Sequence, residues 1–183
     1  SKAHPELVEA PEEPARSRIL GWTVYTGTWS LREDGGVQVE AAPGAKIVQD
    51  ELKLGDGTVE AQVMLLAGSG DAGLLVRVDN PAEGTDAVTA YNINLRQDTL
   101  RLGKHENSWR ALAAVPLKLA QNKWHSLKIE LEAGRIRIFV DGAKEPQIDF
   151  TDPQPLTIGK IGFRTFQIQA AVRNIVLTQK NKL

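Results

Sequence analysis

Residues Trp124–Gly142, WHSLKIELEAGRIRIFVDG, decide the fold. In the first half His125, Leu127, Ile129 and Leu131 alternate with Trp124, Ser126, Lys128, Glu130 and Glu132. Period two is the mark of a strand with one buried face. After an Ala133-Gly134 turn, Ile136, Ile138 and Val140 alternate with Arg135, Arg137 and Phe139, and Asp141-Gly142 ends the hairpin with residues that accept positive φ. The pieces GKIGFRTF and VRNIVL follow and read as two further strands.

Upstream, short strand candidates recur between turn signals: 22–26, 28–32, 37–40, 45–49, 58–66, 73–78, 89–95, 99–105 and 111–116. Gly27, Asp34-Gly35-Gly36, Pro43-Gly44, Gly55-Asp56-Gly57 and Gly68-Ser69-Gly70 punctuate the early ones. No segment sustains an amphipathic helix and no internal repeat is present. Many short strands without helices predict an all-β fold, a two-sheet antiparallel β-sandwich or jelly roll. Residues 1–18 carry Pro5, Pro11 and Pro14 among Glu6, Glu9, Glu12 and Glu13, which reads as a linker or loosely ordered arm, leaving residues 19–183 as a single domain.

With 22 basic and 23 acidic residues among 183, the net charge of -1 gives no electrostatic reason to expect a nucleic acid or an anionic membrane as partner. No apolar run approaches the ~20 residues of a membrane span. Cysteine is absent, which excludes disulfides and thiolate chemistry.

The order of the pieces resembles the concanavalin A-like lectin/glucanase superfamily, and within it laminin-G-like bacterial modules and the 3-keto-disaccharide hydrolase domain, domain of unknown function 1080. The residues that carry the resemblance are GWTVYTGTWSLREDGGVQVE, DAGLLVRV, AYNINL, NKWHSLKIELEAGRIRIFVDG and GKIGFRTFQIQAAVRNIVL, spanning Gly21 to Leu177. The resemblance implies a jelly roll of two curved sheets, a carbohydrate-binding face, an extracellular or periplasmic location and, in some members, a calcium ion. It also implies association with, or fusion to, a catalytic domain as one arrangement.

Sugar recognition needs polar groups for hydroxyls and an aromatic face, set in a concavity. Arg77 lies opposite Leu74, Val76 and Val78 in its strand; Asn92 and Asn94 lie opposite Tyr91, Ile93 and Leu95; Arg164 opposes Ile161 and Phe163. As neighbours in one sheet these four would line a polar concave surface, the alternative being an ordinary solvated face with cross-strand pairs. The Lys104–Arg110 loop (KHENSWR) adds His105 and Trp109, the latter suited either to stacking on a sugar or to capping the core. Trp22, Trp29 and Trp124 read as structural, and His125 as a strand histidine with a partner.

No catalytic constellation stands out. Glycosidase chemistry needs two carboxylates at a set separation, one partly desolvated, and the E-x-D-x-x-E strand motif of the resembling family 16 glucanases is missing; Glu60 and Glu130 have the parity of surface charge. There is no G-x-S-x-G elbow, and His105 and His125 lack the spacing of a zinc site, so no metal ligands are assigned. For calcium, Asp79, Asn80, Glu83 and Asp86, or Asp149 and Asp152, offer oxygens without the spacing of a known loop. The expectation is a non-catalytic carbohydrate-binding module or a small exported sugar-binding protein, with no cofactor assigned beyond a calcium ion that these oxygens could hold. The alternatives are a glycosidase of the 3-keto-disaccharide hydrolase type and a laminin-G-like protein-interaction domain, which would show a flat apolar patch instead of a polar concavity.

Overall fold

The computed structural model describes residues 16–180. Thirteen strands follow one another: β1 (Arg18–Ile19), β2 (Trp22–Thr26), β3 (Trp29–Leu31), β4 (Val37–Val39), β5 (Ala45–Gln49), β6 (Gly57–Asp79), β7 (Thr89–Leu95), β8 (Thr99–Glu106), β9 (Trp109–Pro116), β10 (Trp124–Glu132), β11 (Arg135–Val140), β12 (Ile148–Thr151) and β13 (Lys160–Gln179). The arm read over residues 1–18 lies mostly outside the described residues, and its last residue opens β1, where Arg18 pairs with Asp50.

All strand pairs are antiparallel, and every strand joins one hydrogen-bonded network. The network nevertheless forms two layers, because β6 and β13 belong to both. At ~3.3 Å per residue, a straight β6 of 23 residues would run for about 75 Å. A domain of this length has a radius of gyration of only ~16 Å, so the strand must bend. The bend falls where Gly68 (φ 120°) pairs with Ile168 and where Gln167 (φ 56°) interrupts the register of β13. Gly70 is obligatory there: a Cβ would lie 1.6 Å from the Phe166 carbonyl oxygen.

Before the bend β6 pairs with β10, and β13 pairs after it with β4, giving a back layer ordered β3, β4, β13, β6, β10, β11, β12. On the other side β6 pairs with β7, and β13 with β5, giving a front layer ordered β1, β2, β5, β13, β6, β7, β8, β9. The sequence divides each of these strands in two at its glycine or polar interruption; the chain instead bends there without breaking its ladder. β12, which the sequence reading leaves unassigned, pairs with β11.

Both layers turn alternate residues inward to a shared core. Val59, Val63 and Leu65, with Leu127, Ile129, Ile136 and Ile138, come from the back layer; Leu74, Tyr91, Ile93, Leu95, Leu100, Leu102 and Phe163 come from the front. Trp29 meets Phe163 edge-on at 6.1 Å between centroids and donates its Nε1–H to the Thr26 carbonyl. His125 is buried at the base of the closing hairpin, its ring nitrogens 2.8 Å from the Asp141 carboxylate and 2.8 Å from the Ala120 carbonyl. Trp124 lies outside the core, 4.1 Å from the Arg173 guanidinium. The structural roles read for these side chains match their contacts.

Arg77 departs from its expected parity. A bulge puts Val76 and Arg77 opposite the single residue Ile161, and Arg77 adopts φ 52°. That extra residue rotates the guanidinium away from Leu75, to the carbonyls of Ala133, Leu156 and Gly55 and to Asp56. Arg77 thus ties the loops at one end of the sandwich. Close by, Lys104 Nζ meets Asp152 at 2.7 Å and donates to the Gln154 carbonyl at 2.7 Å, while the Tyr91 hydroxyl donates to Asp152 and accepts from the Leu156 N–H. Burial, reinforced by Asp152, pushes the Tyr91 phenol upward.

Replacing Arg77 with alanine leaves several buried carbonyls without a donor, each costing about 1–3 kcal/mol. Urea unfolding of Arg77→Ala is expected to show a loss of roughly 3 kcal/mol or more with an unchanged m-value.

Candidate functional site

The outer face of the front layer carries a row of polar side chains. Arg164 of β13 stands opposite Lys46 of β5 and Gly73 of β6, and Asn94 of β7 stands opposite Arg101 of β8. Here the alternation predicted from sequence holds: Arg164, Asn92 and Asn94 point away from the core that Phe163, Tyr91, Ile93 and Leu95 fill.

A cavity of about 460 Å³ opens above this row. Its walls are Ser69, Gly70 and Asp71 from the bend of β6, Phe166 and Gln167 from the bend of β13, Thr85 and Asp86 from the β6–β7 loop, and Trp109 from β9. Asn94, Arg96, Arg101 and Arg164 complete the lining. Two aromatic rings therefore border it, each beside a guanidinium: Arg101 lies 5.0 Å from the Trp109 ring centroid and Arg164 lies 5.9 Å from that of Phe166.

Trp109 lies across β8 at Gly103, where a Cβ would come within 2.3 Å of the indole Nε1. The absence of a side chain at Gly103 is what lets the indole lie down on the sheet. The expected Lys104–Arg110 loop shrinks to the two-residue turn Asn107–Ser108, with Asn107 at φ 61°, because β8 runs to Glu106 and β9 begins at Trp109.

The 80–88 loop is held over the sheet by buried cations. Lys46 Nζ, wholly buried, donates to the carbonyls of Gly84 at 3.0 Å and Ala87 at 3.1 Å. Arg164 donates twice to the Thr85 carbonyl, at 2.9 and 3.1 Å. Its guanidinium also lies 3.6 Å from Asp86 and 4.0 Å from Asp71. Burial is the main cause lowering the Lys46 ammonium to about 8, with Arg164 adding repulsion.

Asp71 accepts from Arg101 at 3.2 Å through Oδ2. Burial raises its carboxyl above the usual range, only partly offset by Arg164 and Arg101. Among the described residues, four buried side-chain atoms without a protein hydrogen-bond partner belong to this lining: Asp71 Oδ1, Asn94 Oδ1, Arg101 Nε and Trp109 Nε1. Trp109 Nε1 faces the sheet at Gly103 and Asp71 Oδ1 lies 4.0 Å from Arg164, so these atoms describe how densely polar groups are packed beneath the cavity.

Of the six residues selected from sequence, Asn94, Arg164 and Trp109 line the cavity together. Asn92 and His105 stand behind it, fully buried against each other, Asn92 Nδ2 lying 3.0 Å from His105 Nε2. Donation from the amide makes Nε2 the acceptor and puts the ring proton on Nδ1, which lies 3.4 Å from Asp86. Arg77 serves the other side of its strand. The sequence reading passes over Asp71, Arg101, Phe166 and Lys46, and takes Asp86 as a calcium oxygen, not as part of a sugar site. For Arg101 the signal was present, since it alternates with the core residues Leu100 and Leu102.

The carboxylates considered for calcium face other partners. Glu83 pairs with Arg16, Asp86 faces Arg164 and His105, Asp149 pairs with Arg135, Asp152 pairs with Lys104, and Asp79 accepts from the Asn80 N–H. Among the described residues no three His, Asp or Glu side chains gather in a metal-binding group.

A family model, the 3-keto-alpha-glucoside-1,2-lyase-like domain, matches residues 17–178. The chain belongs to this family. Its curated relatives include a levanase from Bacillus subtilis (strain 168), 27% identical over 167 residues; the match covers 88% of this chain but 23% of the levanase. Among solved structures, the carbohydrate-binding module CBM66 from Bacillus subtilis superposes with a TM-score of 0.74 at 24% identity, over 87% of this chain and 96% of the module. A β-glucanase from Bacillus licheniformis gives 0.65 at 17% identity, over 92% and 97%. These likenesses establish the concanavalin A-like jelly roll for this member of the lyase-like family.

Burial, then repulsion from Arg164 and Lys46, lowers the His105 imidazole from 6.5 to about 3. Between those values the unfolded chain binds the proton and the folded chain does not. The stabilisation from a neutral His105 is therefore complete above pH 6.5 and is lost as pH falls toward 3. Acid unfolding should show a loss of a few kcal/mol across that window, and His105→Gln should flatten it. A second expectation concerns the loop: Lys46→Met, which retains bulk but no donor, should speed amide exchange of residues 84–88 about tenfold while leaving exchange in β10 and β11 unchanged.

Proposed function

We propose that this protein is a non-catalytic carbohydrate-binding module whose ligand occupies the cavity between Trp109, Phe166 and the 80–88 loop. The observation that carries the reading is the meeting of two aromatic rings with guanidinium, carboxylate and amide side chains in one open cavity. Sugars present both an apolar C–H face and hydroxyls that donate and accept, and this lining offers guanidinium donors, carboxylate acceptors and an amide beside the rings. The near-neutral chain also suits an uncharged ligand.

The levanase relative supports levan as the first polysaccharide to test, and the carbohydrate-binding module of the same fold supports binding without catalysis. The matched part being 23% of that levanase supports a place beside a catalytic domain on one chain. The family resemblance supports an extracellular or periplasmic location. A flat apolar patch, which a laminin-G-like interaction surface would present, is not the character of this face.

Titration calorimetry against levan, inulin and mixed-linkage β-glucan tests the reading. Saturable binding to levan is expected, and Trp109→Ala should weaken it at least tenfold, on the order of the ~1–3 kcal/mol such aromatic contacts contribute. Absence of binding to any of the three at millimolar sites would overturn it.

One observation favours a catalytic second reading in keeping with the family. Asp71 lines the cavity with a carboxyl raised by burial, its Oδ2 held by Arg101 and its Oδ1 4.0 Å from Arg164, and a raised carboxyl beside a cavity suits a proton-transferring group. Turnover of a 3-keto-glucoside that disappears in Asp71→Asn, with ligand binding retained, would establish it.

A further inference from the structure

Beside the main cavity lies a second of about 370 Å³, lined by Ser69, Arg96, Gln97, Asp98, Thr99 and Arg101. It shares Ser69, Arg96 and Arg101 with the first, so the two form one trough divided by a pair of arginines. The outer end of the trough is the β7–β8 turn. A chain reversal with exposed side chains is ordinarily mobile, but this one is fastened on both sides. The Arg96 N–H donates to the Thr99 carbonyl across the turn at 2.9 Å. From below, the Leu117 N–H donates to the Asp98 carbonyl at 3.1 Å and the Leu119 N–H to the Gln97 carbonyl at 2.8 Å.

The side chains of the turn are left to face solvent on a rigid ledge, with Gln97 and Asp98 exposed. Arg96 reaches across the trough to the Ser69 carbonyl at 3.2 Å, and Asp98 accepts from the Thr99 hydroxyl at 2.9 Å. Between the two cavities, Arg101 keeps a buried Nε without a protein partner while its other nitrogen holds Asp71.

From this arrangement we infer that the trough continues the carbohydrate site as a second subsite over Gln97 and Asp98, without aromatic rings and with only polar residues in its lining, so that the ligand is an oligosaccharide crossing Arg96 and Arg101. The inference rests on the reading of the main cavity as a sugar site. The two halves differ in chemistry. The first has aromatic rings and accepts the apolar face of one sugar unit. The second has an amide, a carboxylate, a hydroxyl and a guanidinium, and recognises the next unit through its hydroxyls alone. Preorganisation of the turn lowers the ordering cost of those bonds.

The test is calorimetry with fructose, a levan-derived disaccharide and longer levan oligosaccharides, on the wild type and on a Gln97→Ala/Asp98→Ala double variant. The backbone bonds that hold the turn survive both substitutions, and an unchanged melting temperature verifies this. Wild-type affinity is expected to rise with length, and the double variant to lose about tenfold of that rise while fructose binding is unaltered. Equal wild-type affinity for all lengths would overturn the subsite and leave the main cavity standing, as would a double variant with the full rise. Failure of every sugar to bind the wild type would overturn the reading of the main cavity, and the subsite with it.

Discussion

The antiparallel ladder between β6 and β13 is the constraint on which this molecule depends. Each strand is too long to stay in one layer, so the pair bends together, and the bend is where the two sheets diverge. Core packing explains why the fold has two layers, but the bend explains where the cavity bordered by Trp109 and Phe166 lies. Ser69, Gly70 and Asp71 on one strand and Phe166 and Gln167 on the other leave the regular pleat there and become the wall of the cavity. Gly70 is fixed by backbone proximity, and Asp71, the next residue, lines the cavity beside it.

Buried positive charge does a second job. Lys46, Arg77, Lys104 and Arg164 all lose nearly all contact with water, and most of their hydrogen bonds go to loop carbonyls. Loop carbonyls have no ladder partners, and a buried cation that donates to them satisfies those acceptors while offsetting part of its own desolvation penalty. The same device anchors two different ends of the sandwich: Arg77 and Lys104 hold the loops around Leu156, whereas Lys46 and Arg164 hold the loop that carries Thr85 and Asp86. In the second case the anchors neighbour the cavity, so the architecture of the wall and its electrostatics are set by the same side chains.

Alternation made the layers, the closing hairpin and the outward faces of β7 and the first half of β13 legible in sequence, because each strand there keeps strict period two. It failed for Arg77 because a bulge adds one residue and reverses the face, a feature with no signature in the local residues. The strand boundaries at Gly68–Gly70 and after Phe166 were misread for a related reason: glycine signals a turn and a sharp bend alike. Chemistry and parity are enough to bring Trp109, Asn94 and Arg164 to one cavity, while placing Lys46 there requires knowing that a distant loop, with Asp86 on it, folds back over β5. That information resides in tertiary contacts between residues some forty positions apart.

The β6–β13 ladder also sets an order of events for the growing chain. Its partners are separated by about a hundred residues, and β13 is the last strand in the described sequence. Local hairpins such as β7–β8–β9 and β10–β11 can close early, but neither layer can be completed before β13 arrives, since it lies in the middle of both. Until then β5 has only β2 beside it, β4 only β3, and one edge of β6 stays open, the non-local arrangement that slows folding and leaves strand edges exposed to association.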